Sequence, residues 1–155
     1  MKLTLLIPGD PVCQPRAKAV TIAGKTRLYT PTSRKRPDGT RVSNGVAEFK
    51  ALVAITAANN YDGPLLSEPL RVDCCWVFPR IKAQIWKRKP MVRIPYTGTR
   101  DRDNLDKIIL DSLQGVVWNN DTYVQCGWLE KWHAAGDEQP HTLVVIETIT
   151  EEKET

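Results

Sequence analysis

Between Pro8 and Ser43 this chain offers no apolar periodicity to bury. Pro8, Pro11, Pro15, Pro31 and Pro37 punctuate the stretch, and Pro37-Asp38-Gly39 marks a turn. A run of this length without evident structure is usually functional or mobile. The spacing therefore predicts that the packed elements lie before it and after it. Residues 2–7 read as a first strand. After Ser43-Asn44, the apolar residues Val46, Phe49, Leu52, Val53 and Ala57 recur at helical spacing until Asn59-Asn60. Residues 70–78 read as a strand ended by Pro79, residues 104–114 as a second helix, and residues 122–129 and 142–149 as further strands. The expectation is a mixed α/β fold: one small domain over 1–149, with one mixed sheet and two main helices. A basic mobile arm spans 8–43, and 150–155 is a disordered acidic tail. The 155 residues are 41% hydrophobic, enough for one core, and show no internal repeat or linker.

Several classes are excluded early. The apolar fraction is too high, and the charge too balanced, for a disordered chain. No apolar run approaches the roughly 18 residues that span a bilayer. The start, Met1 to Ile7, is cut off by Pro8-Gly9-Asp10 before an export signal is complete. A cytoplasmic protein is expected. Cys13, Cys74, Cys75 and Cys126 form no CxxC pair, and adjacent Cys74 and Cys75 would face opposite sides of a strand. Reduced thiols are expected, with neither a zinc site nor a disulfide framework.

The formal net charge of +4 conceals a division along the chain. Residues 1–100 hold 18 Lys+Arg against 6 Asp+Glu, and residues 101–155 hold 4 against 12. Basic surface concentrates polyanions. In the arm the cations include Arg16, Lys18, Arg27, Arg34, Lys35 and Arg36. A second basic stretch, 80–100, carries Lys87 and Arg100 with Trp86 among them. Such stretches suit phosphate contacts, although a solvated loop has the same composition, and simple packing accounts for Trp86 better than base stacking does.

The acidic third contains the informative segment, Arg100-Asp-Arg-Asp-Asn-Leu-Asp-Lys107. Leu105, Ile108, Ile109, Leu113 and Val116 fall on one helical stripe, and Gly115 is a suitable stop. Asp103 and Lys107 lie on the opposite side. Asp103 stands where a helix N-cap belongs, and taken alone it reads as a cap. Asp101 beside it is more than a cap requires. Two close carboxylates repel unless a cation lies between them, and Mg²⁺ accepts a few carboxylate oxygens while keeping positions for water and phosphate. Asn119-Asn120-Asp121 is a turn signal, and Asp121 alone reads as an Asx turn.

Together, Asp101-Arg-Asp103-Asn104-Leu105-Asp-Lys107, Leu110-Asp111-Ser112-Leu113 and Trp118-Asn-Asn-Asp121 with Val124 resemble the core signature of the RusA family of Holliday junction resolvases. The run Ile7-Pro8-Gly9-Asp10-Pro11, with Pro15-Arg16 and Tyr29-Thr30-Pro31, also resembles phage members. The likeness is dense over 100–131 and looser over 5–32. It implies a small homodimeric, Mg²⁺-dependent endodeoxyribonuclease, with Mn²⁺ as a substitute ion, acting on four-way DNA and leaving 5′-phosphate and 3′-hydroxyl ends. Metal would fall to Asp101, Asp103 and Asp121, Lys107 would share in catalysis, and Lys131 would touch phosphate. The family often has two adjacent acids after the helix; here Asn120 precedes Asp121. No nucleotide cofactor, membrane or histidine is implied. Two other readings are a phage nuclease for forks and flaps, and a DNA-binding protein whose acids only cap and turn the chain.

Overall fold

The structure is a computed structural model and describes residues 1–150. In chain order the elements are β1 (Lys2–Pro8), β2 (Lys18–Ile22), β3 (Lys25–Tyr29), β4 (Ser33–Lys35), β5 (Arg41–Ser43), α1 (Val46–Asn60), β6 (Leu70–Phe78), β7 (Ile94–Pro95), α2 (Arg102–Leu113), β8 (Val124–Cys126), β9 (Leu129–His133) and β10 (His141–Thr148). The main sheet has the order β1-β10-β6-β9-β7, with β8 pairing the start of β6. β1 and β10 run antiparallel, as do β10 and β6, whereas β6 and β9 are parallel. A parallel pair needs a crossover, and α2 supplies it. The expected mixed α/β fold with one mixed sheet and two helices is present.

Alternation fixes which face is buried. Leu3, Leu5 and Ile7 of β1, Leu70, Val72, Cys74, Trp76 and Phe78 of β6, and Val144 and Ile146 of β10 all point into one core. Val46, Phe49, Val53 and Ala57 of α1 meet them, with Leu105, Ile108, Ile109 and Leu113 of α2. Both helices therefore cover one face of the sheet. Lys50 Nζ and Asp111 Oδ2, 3.4 Å apart, tie the helices together. Cys74 is buried in this core, and Cys75 turns to the other face. All four cysteines are free.

Three expectations change. The arm is not irregular throughout: β2–β3 and β4–β5 are two small hairpins outside the main sheet. The first turns on Ala23-Gly24, with φ of 50° and 76°. Two positive values are what a two-residue hairpin turn demands, but Ala lacks the Asn or Asp signal usually found there. The strand expected over 122–129 is divided. A 3-10 turn at Asp121–Tyr123 leads into β8, and the chain breaks at Gly127 before β9. A Cβ at Gly127 would stand 1.8 Å from the Val72 carbonyl oxygen, so only glycine passes this close to β6. Finally, α2 begins at Arg102 rather than 104. The tail expected at 150–155 lies, from 151 onward, outside the described residues. No helix among the described residues is long and apolar enough to cross a membrane.

Candidate active site and nucleic-acid interface

Asp101, not Asp103, occupies the N-cap position of α2, and its side chain makes no capping hydrogen bond. Only its carbonyl oxygen serves the helix, accepting from Leu105 N–H at 3.1 Å. Asp103 sits in the first turn. Capping therefore consumes neither carboxylate. Both are exposed, two residues apart, at the positive end of the helix dipole, which offsets part of their repulsion. Arg16 Nη2 lies 3.2 Å from Asp101 Oδ2, with the two side chains 79% and 52% exposed. A pair this open is worth under about 1 kcal/mol, so a phosphate competes readily for the guanidinium.

The arm is fastened at this point. Gln14 N–H donates to the Asn104 carbonyl oxygen at 3.2 Å, and Cys13 Sγ lies 3.8 Å from the Asp101 carbonyl oxygen. Burial pushes the Cys13 thiol above its ordinary value, with the Arg100 charge opposing, so it is no thiolate nucleophile. Between arm and helix start lies an open cleft of about 620 Å³, lined among others by Gln14, Arg16, Arg34, Arg100, Asp101 and Asn104. Three arginines at its rim make it receptive to phosphate.

Lys107, one turn along α2, is exposed and makes no ion pair among the described residues. The helix pair with Asp103 that its spacing allows is not formed. The turn after the helix is held by Asn120, whose Oδ1 accepts from Thr122 N–H at 2.9 Å, so the Asx role belongs to Asn120 and not Asp121.

Asp121 is placed apart from the other two acids. Val124, three residues beyond it, pairs with Leu70, the first residue of β6. Lys131 pairs with Trp76 near the other end of β6, and its Nζ donates to the Arg100 carbonyl oxygen at 2.8 Å. Asp101 and Asp103 thus stand at the carboxyl end of the parallel strands, where open α/β sheets bind ligands. Asp121 stands at the amino end. A helix of 12 residues, about 18 Å long, separates them. Among the described residues no three His, Cys, Asp or Glu side chains gather as a metal-holding group. Within one chain the expected convergence of Asp101, Asp103 and Asp121 is a pair, not a triad.

The cations expected to meet DNA divide into two sets. Arg16, Lys18, Arg27, Arg34, Lys35, Arg36, Lys87 and Arg100 are exposed. Lys131 is half-buried: besides its bond to Arg100 it lies 5.3 Å from the Tyr96 ring centroid, so it braces the loop before Asp101. Arg80, one of the cations of the basic 80–100 stretch, instead holds the 79–93 loop by donating to the carbonyl oxygens of Ala134, Gln84 and Val92. Arg80 and Lys89 stand 4.6 and 4.0 Å from the centroid of the Trp86 ring. Trp86 is thus a peg within its own loop, and packing decides its role. His133 is buried, with Nδ1 3.1 Å from the Pro79 carbonyl oxygen, in keeping with a structural part.

The sequence profile of the endodeoxyribonuclease RusA family matches residues 8–147. The chain belongs to the RusA family. The match runs from the arm through β10, so it includes both the helix start and the basic segments. No curated protein matches the chain. RusA membership carries endodeoxyribonuclease activity of the Holliday junction-resolving kind, on branched DNA. For a RusA-type site, the two exposed acids at the start of α2 and the arginine-rimmed cleft beside them are the feature to explain.

Proposed function

We propose that this RusA-family chain is a Mg²⁺-dependent, structure-selective endodeoxyribonuclease that resolves four-way junctions by paired phosphodiester hydrolysis in a homodimer. The single observation carrying this reading is the exposed Asp101–Asp103 pair beside the Arg16–Arg34–Arg100 cleft, within a family of endodeoxyribonucleases.

The donor set suits Mg²⁺ in kind. Mg²⁺ uses one or two protein carboxylates and takes phosphate and water for the rest, so a pair is sufficient as a protein anchor. Mn²⁺ fits the same oxygens. When bound, the ion supplies activated water and charge neutralisation at the phosphate. Asp121 joins this set only through assembly or rearrangement, because one chain holds it beyond the far end of α2.

The chain's own residues have separable tasks. Arg34 and Arg100 hold the phosphate at the cleft, and Arg16 leaves Asp101 for it. Lys107 stabilises charge that develops on the phosphoryl oxygens. The arm and the braced 79–93 loop grip the duplex arms through phosphates, which selects shape more than sequence. A two-fold dimer matches the two-fold symmetry of a four-way junction and so sets two equal sites on opposed strands.

The test is cleavage of a synthetic four-way junction with Mg²⁺, Mn²⁺ or chelator. Paired, symmetric nicks that vanish with chelator are expected. Uncut junction, fork and flap DNA in every divalent ion would end the nuclease reading, and forks or flaps cut faster than junctions would replace the substrate. Mixing Asp103→Asn with Asp121→Asn asks where Asp121 acts. Restored cleavage in the mixture means that the acids work across two copies.

A further inference from the structure

The start of α2 stands between two clefts. One is the arginine-rimmed cleft on the arm side. The other, of about 490 Å³ on the β9 side, is lined among others by Pro95, Arg102, Trp128, Glu130, Lys131 and Trp132. Arg102 lies between Asp101 and Asp103 in the chain, so this second cleft adjoins the two acids. Its side chain is exposed and makes no ion pair among the described residues. Trp128 is 66% exposed, more than any other aromatic residue among those described, and takes no part in the core. Yet it is held firmly. Its indole N–H donates to Glu130 Oε1 at 2.8 Å, its backbone N–H donates to Asp73 Oδ1 at 2.7 Å, and its carbonyl oxygen accepts from Cys74 N–H at 2.8 Å. Trp132 donates its own indole N–H to Glu130 Oε2 at 3.0 Å. One carboxylate thus fixes two indoles and commits both oxygens to them. What Trp128 has left to offer is an aromatic face with no free hydrogen-bonding edge.

We propose that Trp128 is a stacking platform for an unpaired base at the branch point of junction DNA, with that nucleotide's phosphate on Arg102; this rests on the nuclease reading above. Every base has a π-face, so such a platform takes any of the four and adds no sequence choice. Base pairs beside a branch point lack a stacking neighbour on one side, so opening one costs least there. A ring already fixed by three hydrogen bonds loses little freedom on receiving the base. A protein partner would also cover an exposed ring, but the free guanidinium in the same cleft, one residue from each acid, favours a ligand that carries phosphate. Preference for branched over continuous duplex then has a local source beside the two acids, separate from the grip of the arm on the duplex arms.

The experiment uses the full chain in chelator and four-way junctions with 5-iodouracil placed in turn at each position from the crossover into the arms. Long-wavelength irradiation joins that base to an aromatic ring stacked on it, and peptide mapping identifies the residue. Cross-linking to Trp128 is expected from one position beside the crossover and from none within the arms. Trp128→Leu should weaken junction binding about tenfold and leave duplex binding, melting temperature and oligomeric state unchanged. Trp128→Phe, which keeps a ring, should stay within about threefold of wild type. Arg102→Ala should lower the slope of log affinity against log salt by about 1. No cross-link to Trp128, a cross-link only from within the arms, equal loss of junction and duplex binding, a salt slope untouched by Arg102→Ala, or conversion of Trp128→Leu to a smaller oligomer would each overturn the proposal. Should Trp128→Leu fail to fold, the wild-type cross-link map and Trp128→Phe decide. A cross-link at the crossover with junctions left uncut in every divalent ion would sink the nuclease reading and keep the platform.

Discussion

β6 and the β2–β3 hairpin are both strands, yet they have nothing in common energetically. In β6 every second residue from Leu70 to Phe78 enters the core. In β2 and β3 every residue is exposed, including Val20, Ile22, Leu28 and Tyr29. A lone two-stranded hairpin is marginal in water, so burial of its own strands does not hold the β2–β3 hairpin. The arm is held at its ends instead: Val12 and Cys13 pack against the core, Gly9 N–H donates to the Pro140 carbonyl oxygen at 3.0 Å, Gln14 N–H to Asn104, and the Asn44 side chain to the Pro31 carbonyl oxygen at 2.7 Å. The sheet and the two helices packed on it provide stability and place α2. The hairpins add little to the core, and apart from Arg16, paired with Asp101, the arm's cations make no ion pair among the described residues.

That contrast can be broken most forcefully from the core. Trp76 is fully buried, and Trp76→Ala should remove about 3–5 kcal/mol, a large share of a domain's stability, as measured by chemical denaturation. A small change would show that the sheet–helix core is not the stability reservoir. Asp103→Asn should do the reverse. Junction cleavage should fall about 10²–10³-fold with melting temperature and junction binding nearly unchanged, because the side chain is exposed and supports no cap. In the arm, Arg27→Ala with Arg34→Ala should leave melting untouched and lower the slope of log affinity against log salt by about 2. A stability loss there would mean that the hairpins are part of the core after all.

Two smaller effects sharpen the picture through pH. Burial pushes the Asp106 carboxyl above its ordinary value, against the Arg102 charge. Its folded pKa exceeds its unfolded one, so ionisation opposes folding, and stability falls as pH rises through that window. Asp106→Asn should therefore raise melting at pH 7 and leave it nearly unchanged at pH 3. The Arg93 guanidinium holds Glu138 below its ordinary value, outweighing the effect of burial. That pair stabilises above the unfolded carboxyl value of about 4.3 and loses its contribution as pH falls through the folded one. Glu138→Gln should flatten the acid limb of the stability curve, the smallest of these changes.

The acids tell how far residues alone could go. Asp101, Asp103 and Lys107 were legible because a helix repeats every 3.6 residues, so spacing alone sets them at one start and off the apolar stripe. Asp121 was legible as a family position, but its distance from the pair was not. That depends on the parallel registers of β8 and β9 against β6, which no local pattern encodes. Gln14 gave no local signal either, and Arg80 only that of a basic stretch. One is defined by a backbone bond to a residue 90 positions away, the other by carbonyl groups of three separate segments.

By itself, then, the sequence determined the elements whose periodicity is strong, the mixed α/β class with one sheet and two helices, the division of charge, and the family signature at α2. The tertiary structure alone decided that the arm forms hairpins, that the 122–129 strand breaks at Gly127, and that Asp121 stands apart from its fellow acids. The reason is range. Periodicity and turn chemistry act over a few residues, whereas register, close backbone passage and the filling of a cleft are settled only when distant segments meet.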